Sequence, residues 1–195
     1  MGTLGPRGVL NILRMGHPVL KKHAESFKVE EIKSPQTRHL VQDMKETLYK
    51  NRAVGLAAPQ IGVSKQLLVF TVPEGVPNLT HVPLTVLFNP KMEFVLKHEI
   101  IQMTESCLSV PDWVGKVPRY NNVIINYLDE ESQPKRLVAT GFVSGILQHE
   151  VDHLSGTLYL ERLKSVKDLA YKEEWSDHMA EDPTVCWSGT IKFCD

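Results

Sequence analysis

The chain lacks the features that would assign it to several large classes. Three cysteines, at 107, 186 and 194, are too few and too unevenly spaced for a disulfide framework, which points to a reducing compartment. No apolar run approaches the ~20 residues that cross a bilayer, so no membrane span is expected. With 22 Lys and Arg against 23 Asp and Glu, the net charge is −1, and no long-range field gathers a polyanion. Direct nucleic-acid binding is therefore not expected. Residues 1–8 show neither the apolar core of a signal peptide nor the extended amphipathic character of a transit peptide, so any presequence is taken to be absent or already removed. Asn78-Leu79-Thr80 matches a glycosylation acceptor, but without a secretory signal it reads as a chance triplet. Repeats and low-complexity segments are also missing. What remains is an ordinary globular composition, 42% hydrophobic and 23% charged in 195 residues. That length suits a single domain over residues 1–195, with a short N-terminal extension (about 1–10) and an unassigned tail (about 181–195). Composition says nothing of oligomeric state.

Hydrophobic periodicity places the main elements. Ser34-Pro35 is a helix start, and Leu40, Val41, Met44 and Leu48 share one face, predicting an amphipathic helix over 35–50. Residues 51–62 are rich in small side chains that let backbone approach a ligand closely. Strands are expected at 66–72, 85–88, 92–96 and 99–104, with a loop over 73–83. Residues 123–128 and 135–140 read as a hairpin whose acidic tip, Asp129-Glu130-Glu131, is a solvated charge run. A helix over 142–154 stops at Gly156, and a surface helix is expected over 166–179.

The 142–154 helix contains the most informative stretch, Gln148-His149-Glu150-Val151-Asp152-His153. Residues four apart share a helix face, so His149 and His153 can address one metal ion. Glu150 lies beside that face, within reach of a water held there. A His-Glu-x-x-His string arises by chance in a chain of this length only on the order of 1% of the time. Two imidazoles leave a catalytic metal short of a third protein ligand. Downstream, Glu173, Glu174, His178 and Glu181 are available without diagnostic spacing. Upstream, Cys107 ends a predicted strand and offers a thiolate; alone it would read as a buried hydrophobe, but beside two histidines it becomes a ligand candidate.

Three stretches together resemble the peptide deformylase family: Val54-Gly55-Leu56-Ala57-Ala58-Pro59-Gln60, then Glu105 with Cys107-Leu108-Ser109, then Gln148 to His153. The similarity extends from about His17 to Leu163. Two positions depart from the family pattern, Ala53 and Ser106, where glycine is usual; each adds a Cβ near the expected substrate path, with extra bulk or a φ adjustment as the expected consequence. Trp113-Val114 and Val117-Pro118-Arg119-Tyr120 resemble the animal mitochondrial branch, which implies a mitochondrial location, the alternative being cytoplasmic in a bacterial-like enzyme.

The resemblance implies an α+β fold with antiparallel strands wrapped around a central metal-binding helix. It implies removal of the formyl group from the N-terminal formyl-methionine of nascent chains, and with it transient association with the ribosome. Cys107, His149 and His153 become the ligands of one divalent ion, Fe²⁺ natively, with Zn²⁺, Co²⁺ or Ni²⁺ as replacements. A cation so ligated lowers the pKa of its water, and Glu150 serves as base and then acid. The Gln60 amide and the Leu108 N–H are the implied oxyanion donors. Val54, Gly55, Met103, Ser106, Phe142, Gly145 and Ile146 are the implied substrate contacts, and Glu105, Arg119 and Asp152 the groups that orient ligands. A formyl carbon carries only hydrogen, so a cramped site admits it and excludes acetyl. Two rivals make different demands: a zincin-type endopeptidase needs no Cys107, and a non-catalytic binder of formylated N-termini shows affinity without turnover.

Overall fold

The structure is a computed structural model, and it describes residues 8–94, 99–178, 186 and 188–194. Two antiparallel sheets enclose one long helix. The six-stranded sheet runs β1 (Gly55–Ala57), β2 (Leu67–Val72), β3 (Val82–Phe94), β6 (Asn122–Leu128), β7 (Pro134–Thr140) and β9 (Ile191–Cys194). The three-stranded sheet runs β4 (Ile100–Cys107), β5 (Val110–Tyr120) and β8 (Leu169–Tyr171). Among the described residues four α-helices accompany them: α1 (Val29–Ile32), α2 (Pro35–Lys50), α3 (Gly141–Leu154) and α4 (Lys172–His178). The α+β architecture around a central helix is therefore as expected.

Helix α3 fills the space between the sheets, touching β1 and β2 of one and β4 and β5 of the other. Val143, Ile146, Leu147 and Leu154 pack on Leu68, Phe70, Leu87, Ile125 and Leu137. Helix α2 covers the opposite face of the larger sheet, where Val41, Met44 and Leu48 meet Leu67, Val69 and Phe88. Strand β2 is thus buried on both faces, which is why it reads as an unbroken apolar run rather than an alternation. Ser34 caps α2 by accepting from the Thr37 N–H at 3.2 Å. Among the described residues, no helix is long and apolar enough to cross a membrane.

The elements depart from the sequence expectation in several places. The strands expected at 85–88 and 92–96 are one strand, β3, with a register shift near Asn89; positions 95 and 96 lie outside the described residues. Asn89 takes φ 48°, a conformation asparagine tolerates, and its side chain bonds both the N–H and the C=O of Phe27 at 2.8 Å. Strand β5 escaped notice because Pro111, Gly115 and Pro118 interrupt it. Pro118 is accommodated because β8 pairs only with Trp113 to Gly115, leaving the rest of that edge without a partner strand among the described residues. The surface helix expected over 166–179 is instead a short 3₁₀ turn, strand β8 and helix α4, with Met179 outside the described residues. The exposed edge of β5 captures Leu169 to Tyr171, and Tyr171 packs on Trp113 with ring centroids 4.2 Å apart and planes tilted by 31°. Finally, the acidic hairpin tip is more than solvated charge, since Lys45 meets Glu130 at 2.8 Å and Lys33 meets Glu131 at 3.5 Å.

Candidate functional site

Strand β4 ends at Cys107 and helix α3 crosses it, so the thiol faces the two histidines one turn apart. The ligand atoms of Cys107, His149 and His153 all lie within 4.8 Å of one another, and all three residues are buried. Cys107 Sγ is 3.3 Å from His153 Nε2. No other such group occurs among the described residues. Glu173, Glu174 and His178 sit on α4, exposed and apart from this cluster, and Glu181 lies outside the described residues.

His149 is braced from behind. Its Nδ1 lies 2.8 Å from Glu105 Oε2, which leaves Nε2 for the cluster. Glu105 in turn accepts two bonds from the Arg119 guanidinium, at 2.6 and 2.9 Å. Arg119 also donates to Asp152 at 2.6 Å, and Arg162 closes the chain on Asp152 at 2.7 and 3.1 Å. Glu105, Arg119 and Asp152 are buried, where an unpaired charge would cost several kcal/mol, so the network must be complete to exist. Burial alone would raise the pKa of Glu105, but the hydrogen bonds from Arg119 and His149 overcome it and hold the carboxyl at about 2. Burial likewise opposes charge on His149, yet its bonds to Cys107 and Glu105 raise its pKa; burial and the nearby His149 lower that of His153.

Glu150 experiences the opposite environment. It is buried, its Oε2 has no hydrogen-bond partner among the described residues, and burial raises its pKa to about 7. Its other oxygen abuts Gly55, where an added Cβ would lie 2.2 Å from Oε1. The glycine of the first motif is thus the space the carboxylate occupies. Gln60 is fixed by its Oε1 accepting from the Ala57 N–H at 2.8 Å, which aims its Nε2 at Cys107 Sγ, 3.5 Å away, and Ser109 Oγ, 3.3 Å away.

These groups line a cleft of about 910 Å³ that also gathers every residue expected to contact substrate: Val54, Gly55, Met103, Ser106, Phe142, Gly145 and Ile146, with Leu108 beside them. Gly145 leaves room for Met103, since a Cβ there would lie 2.3 Å from its terminal methyl carbon. At Ala53 and Ser106, where glycine is usual, the backbone needs no left-handed conformation. Neither has a positive φ, Ser106 is exposed, and the left-handed residue of this loop is Arg52, at φ 52°. Sequence reasoning missed the cleft's cations, Arg14, Lys50, Arg52 and Lys172, which are all exposed. Scattered along the chain, they carried no local signal.

One thiolate and two imidazoles suit a divalent cation that accepts sulfur and nitrogen, and three protein ligands leave a coordination position for exchange. The unpaired, buried oxygen of Glu150 is the structural sign that a polar group belongs in this cavity. The donor set therefore fits a metal ion, and with the neighbouring carboxylate it defines a metal-dependent hydrolase. Comparison with known proteins narrows that class. The family model for polypeptide deformylase matches residues 9–169. Peptide deformylase of Pelotomaculum thermopropionicum is 38% identical over 85% of this chain and 99% of its own length. Peptide deformylase 1 of Bordetella pertussis is 41% identical over 83% of this chain and 92% of its own length. Among solved structures, the Met-Ala-Ser-bound class I type b peptide deformylase of Acinetobacter baumannii superposes with a TM-score of 0.76, at 34% identity over 81% of this chain and 100% of that one. The actinonin complex of a peptide deformylase from Synechococcus elongatus gives 0.71 at 34% identity, covering 82% and 81%. The chain belongs to the polypeptide deformylase family, metal-dependent hydrolases that deformylate nascent chains. These relatives are bacterial and lend no support to the mitochondrial placement.

Proposed function

We propose that the cleft removes the formyl group from N-terminal formyl-methionine peptides, with the whole chain acting as one catalytic domain. Cys107, His149 and His153 would hold one divalent ion, Fe²⁺ natively, with Zn²⁺, Co²⁺ or Ni²⁺ as replacements. When bound, such an ion supplies Lewis acidity and a water that deprotonates near neutral pH. The remaining work falls to the chain. Glu150, with a pKa of about 7, takes a proton at its unpaired oxygen and returns it to the departing amine. The Gln60 amide, held by Ala57, and the Leu108 N–H receive the negative charge that develops on the formyl oxygen. Met103 and Ile146, both buried at the cleft, with Phe142, supply an apolar wall for the methionine side chain. Substrates emerging from the ribosome make transient association with it part of this reading.

The observation that carries the reading is the convergence of three side chains able to ligate a metal beside a buried carboxylate, one oxygen of which has no hydrogen-bond partner among the described residues. It is tested by formyl-Met-Ala-Ser turnover on protein loaded anaerobically with Fe²⁺, and separately with Co²⁺ or Zn²⁺. Glu150→Gln is expected to keep its metal and lose about 10²–10⁴-fold in turnover. Cys107→Ser is expected to lose metal. Equal turnover by metal-loaded Glu150→Gln, or inactivity of the parent in every metal state, would overturn the assignment.

A further inference from the structure

Helix α3 begins without the cap its position demands. Thr140 makes no side-chain capping bond, and no acidic residue stands in the first turn. The free N–H groups are met from elsewhere. Gly141 donates to the backbone and side chain of Asn121, both at 2.9 Å, and Phe142 donates to the Ser188 carbonyl at 2.7 Å. Ser188 is remote in sequence and lies outside the 9–169 stretch matched by the family.

The segment around Ser188 is fastened on several sides. Cys186 donates its N–H to Gln102 of β4 at 2.8 Å. Thr140 donates to the Thr190 carbonyl at 2.9 Å, and the two threonine hydroxyls lie 2.8 Å apart. Gly189 donates to Asn78 and accepts from Thr80, each at 3.2 Å, and β9 then pairs with β7 from Ala139 to Arg136. The segment therefore links β4, which carries Met103 and Cys107, to the start of α3, which carries Phe142, Gly145 and Ile146. The fit is close. A Cβ on Gly189 would lie 2.5 Å from Thr140 O and 2.8 Å from Phe142 N, and one on Gly141 would lie 2.0 Å from Ser188 O.

We propose that Cys186 and the stretch from Ser188 to Cys194 form a positioning element for the substrate pocket: they cap α3 from outside and fix the pocket wall formed by the helix's first turns against β4. The inference rests on the deformylase reading above. His149 and Glu150 lie two turns further along α3, with His149 braced by Glu105 and Arg119. Displacing the segment therefore disturbs substrate binding and spares the reacting groups.

The test is steady-state deformylation of formyl-Met-Ala-Ser by the full chain carrying Gly189→Val, with amide exchange at Phe142 followed in parallel. The new side chain meets backbone atoms, so the segment must move. The expected result is at least about a fivefold rise in KM with kcat within about twofold of the parent, and faster exchange at Phe142, which loses its acceptor. A merely structural role would instead reduce the active fraction, lowering apparent kcat at constant KM. That pattern, or unchanged KM, overturns the proposal. If Gly189→Val does not fold, Thr190→Val decides on the same axis, because it removes only the hydroxyl pair with Thr140: about a twofold rise in KM supports the proposal, and an unchanged KM overturns it. An inactive parent would defeat the deformylase reading itself, a result distinct from either.

Discussion

Two glutamates share one buried pocket and are driven in opposite directions. Glu105 lies behind His149, with Arg119 bonding both its oxygens, and its carboxyl is held at about 2. Glu150 follows His149 in sequence, has one oxygen without a partner among the described residues, and burial lifts it to about 7. Burial acts on both; partners decide the outcome. The permanently ionised group can orient a ligand at any physiological pH, whereas the one near 7 can gain and lose a proton during a turnover. In the proposed mechanism the orienting role and the proton-transfer role are thus separated by hydrogen-bond supply rather than by residue type.

The comparison breaks most visibly when its supply is cut. Arg119→Met leaves Glu105 with His149 in place of its guanidinium donor and deprives Asp152 of one of two arginines, with both carboxylates buried. Uncompensated buried charge of this kind costs about 3–5 kcal/mol, so the unfolding free energy from urea titration should fall by an amount of that order, seen as a lower midpoint at unchanged m. A fall below about 1 kcal/mol would show that the network adds little to folding.

Glu150 should behave in the reverse sense, and pH reveals the sign. Its pKa is raised from 4.5 unfolded to about 7 folded. The folded protein therefore binds the extra proton between those values, and Glu150 withdraws stability as pH rises through them. In metal-free protein, Glu150→Gln should be more stable than the parent at pH 8, by on the order of 3 kcal/mol at most, with the gain vanishing below about pH 4.5. Glu105, lowered to about 2, contributes stability that is present above 4.5 and lost as pH falls toward 2. Denaturation curves at pH 4 and pH 8 separate the two. A Glu150→Gln gain that did not depend on pH would remove burial as the cause of the shift.

How much of this was legible beforehand follows from where the information resides. The helix that carries the candidate ligands could be read because His149 and His153 are local, four residues apart on one face. Helix α2 could be read because Ser34-Pro35 and an apolar stripe are local too. Partner supply is not local. Glu105, Arg119 and Asp152 would pass singly for surface charges, and only the crossing of β4, β5 and α3 brings them together in the interior. Strand β5 was hidden by its prolines and β8 by its helix-like charge pattern, since both are decided by an edge that needed a partner. The cap on α3 comes from a segment with no recognisable pattern of its own. The resemblance to deformylases supplied roles for Gln60 and Leu108 that spacing alone did not.

A smaller and more local effect is expected at Gly55. Its missing Cβ is the space filled by the Glu150 carboxylate, 2.2 Å from where that atom would lie. Gly55→Ala should push the carboxylate aside while leaving Cys107, His149 and His153 in place. Misplacement by about 1 Å costs on the order of 10²-fold in rate, so kcat should fall by about that factor with metal content unchanged. Loss of metal together with activity would show that the glycine serves the ligands rather than the base.

The smallest effect concerns the cleft's mouth, where the contrast is between buried carboxylates and exposed cations. Glu105 and Glu150 are buried within the cleft, while Arg14, Lys50, Arg52 and Lys172 line it with exposed side chains, in a chain whose net charge is −1. Exposed charges act through water and are screened beyond about 10 Å at 0.1 M salt, so each is worth at most about 1 kcal/mol. Acidic residues following the formyl-methionine should still be favoured at low ionic strength. Arg52→Glu should lower kcat/KM for formyl-Met-Ala-Asp-Asp by about three- to fivefold at 20 mM salt, raise it slightly for the Lys-Lys counterpart, and leave formyl-Met-Ala-Ser unchanged. The difference should disappear by about 0.5 M salt. A change that persisted at high salt, or that struck all three peptides equally, would mean that Arg52 acts through the left-handed turn it occupies rather than through its charge.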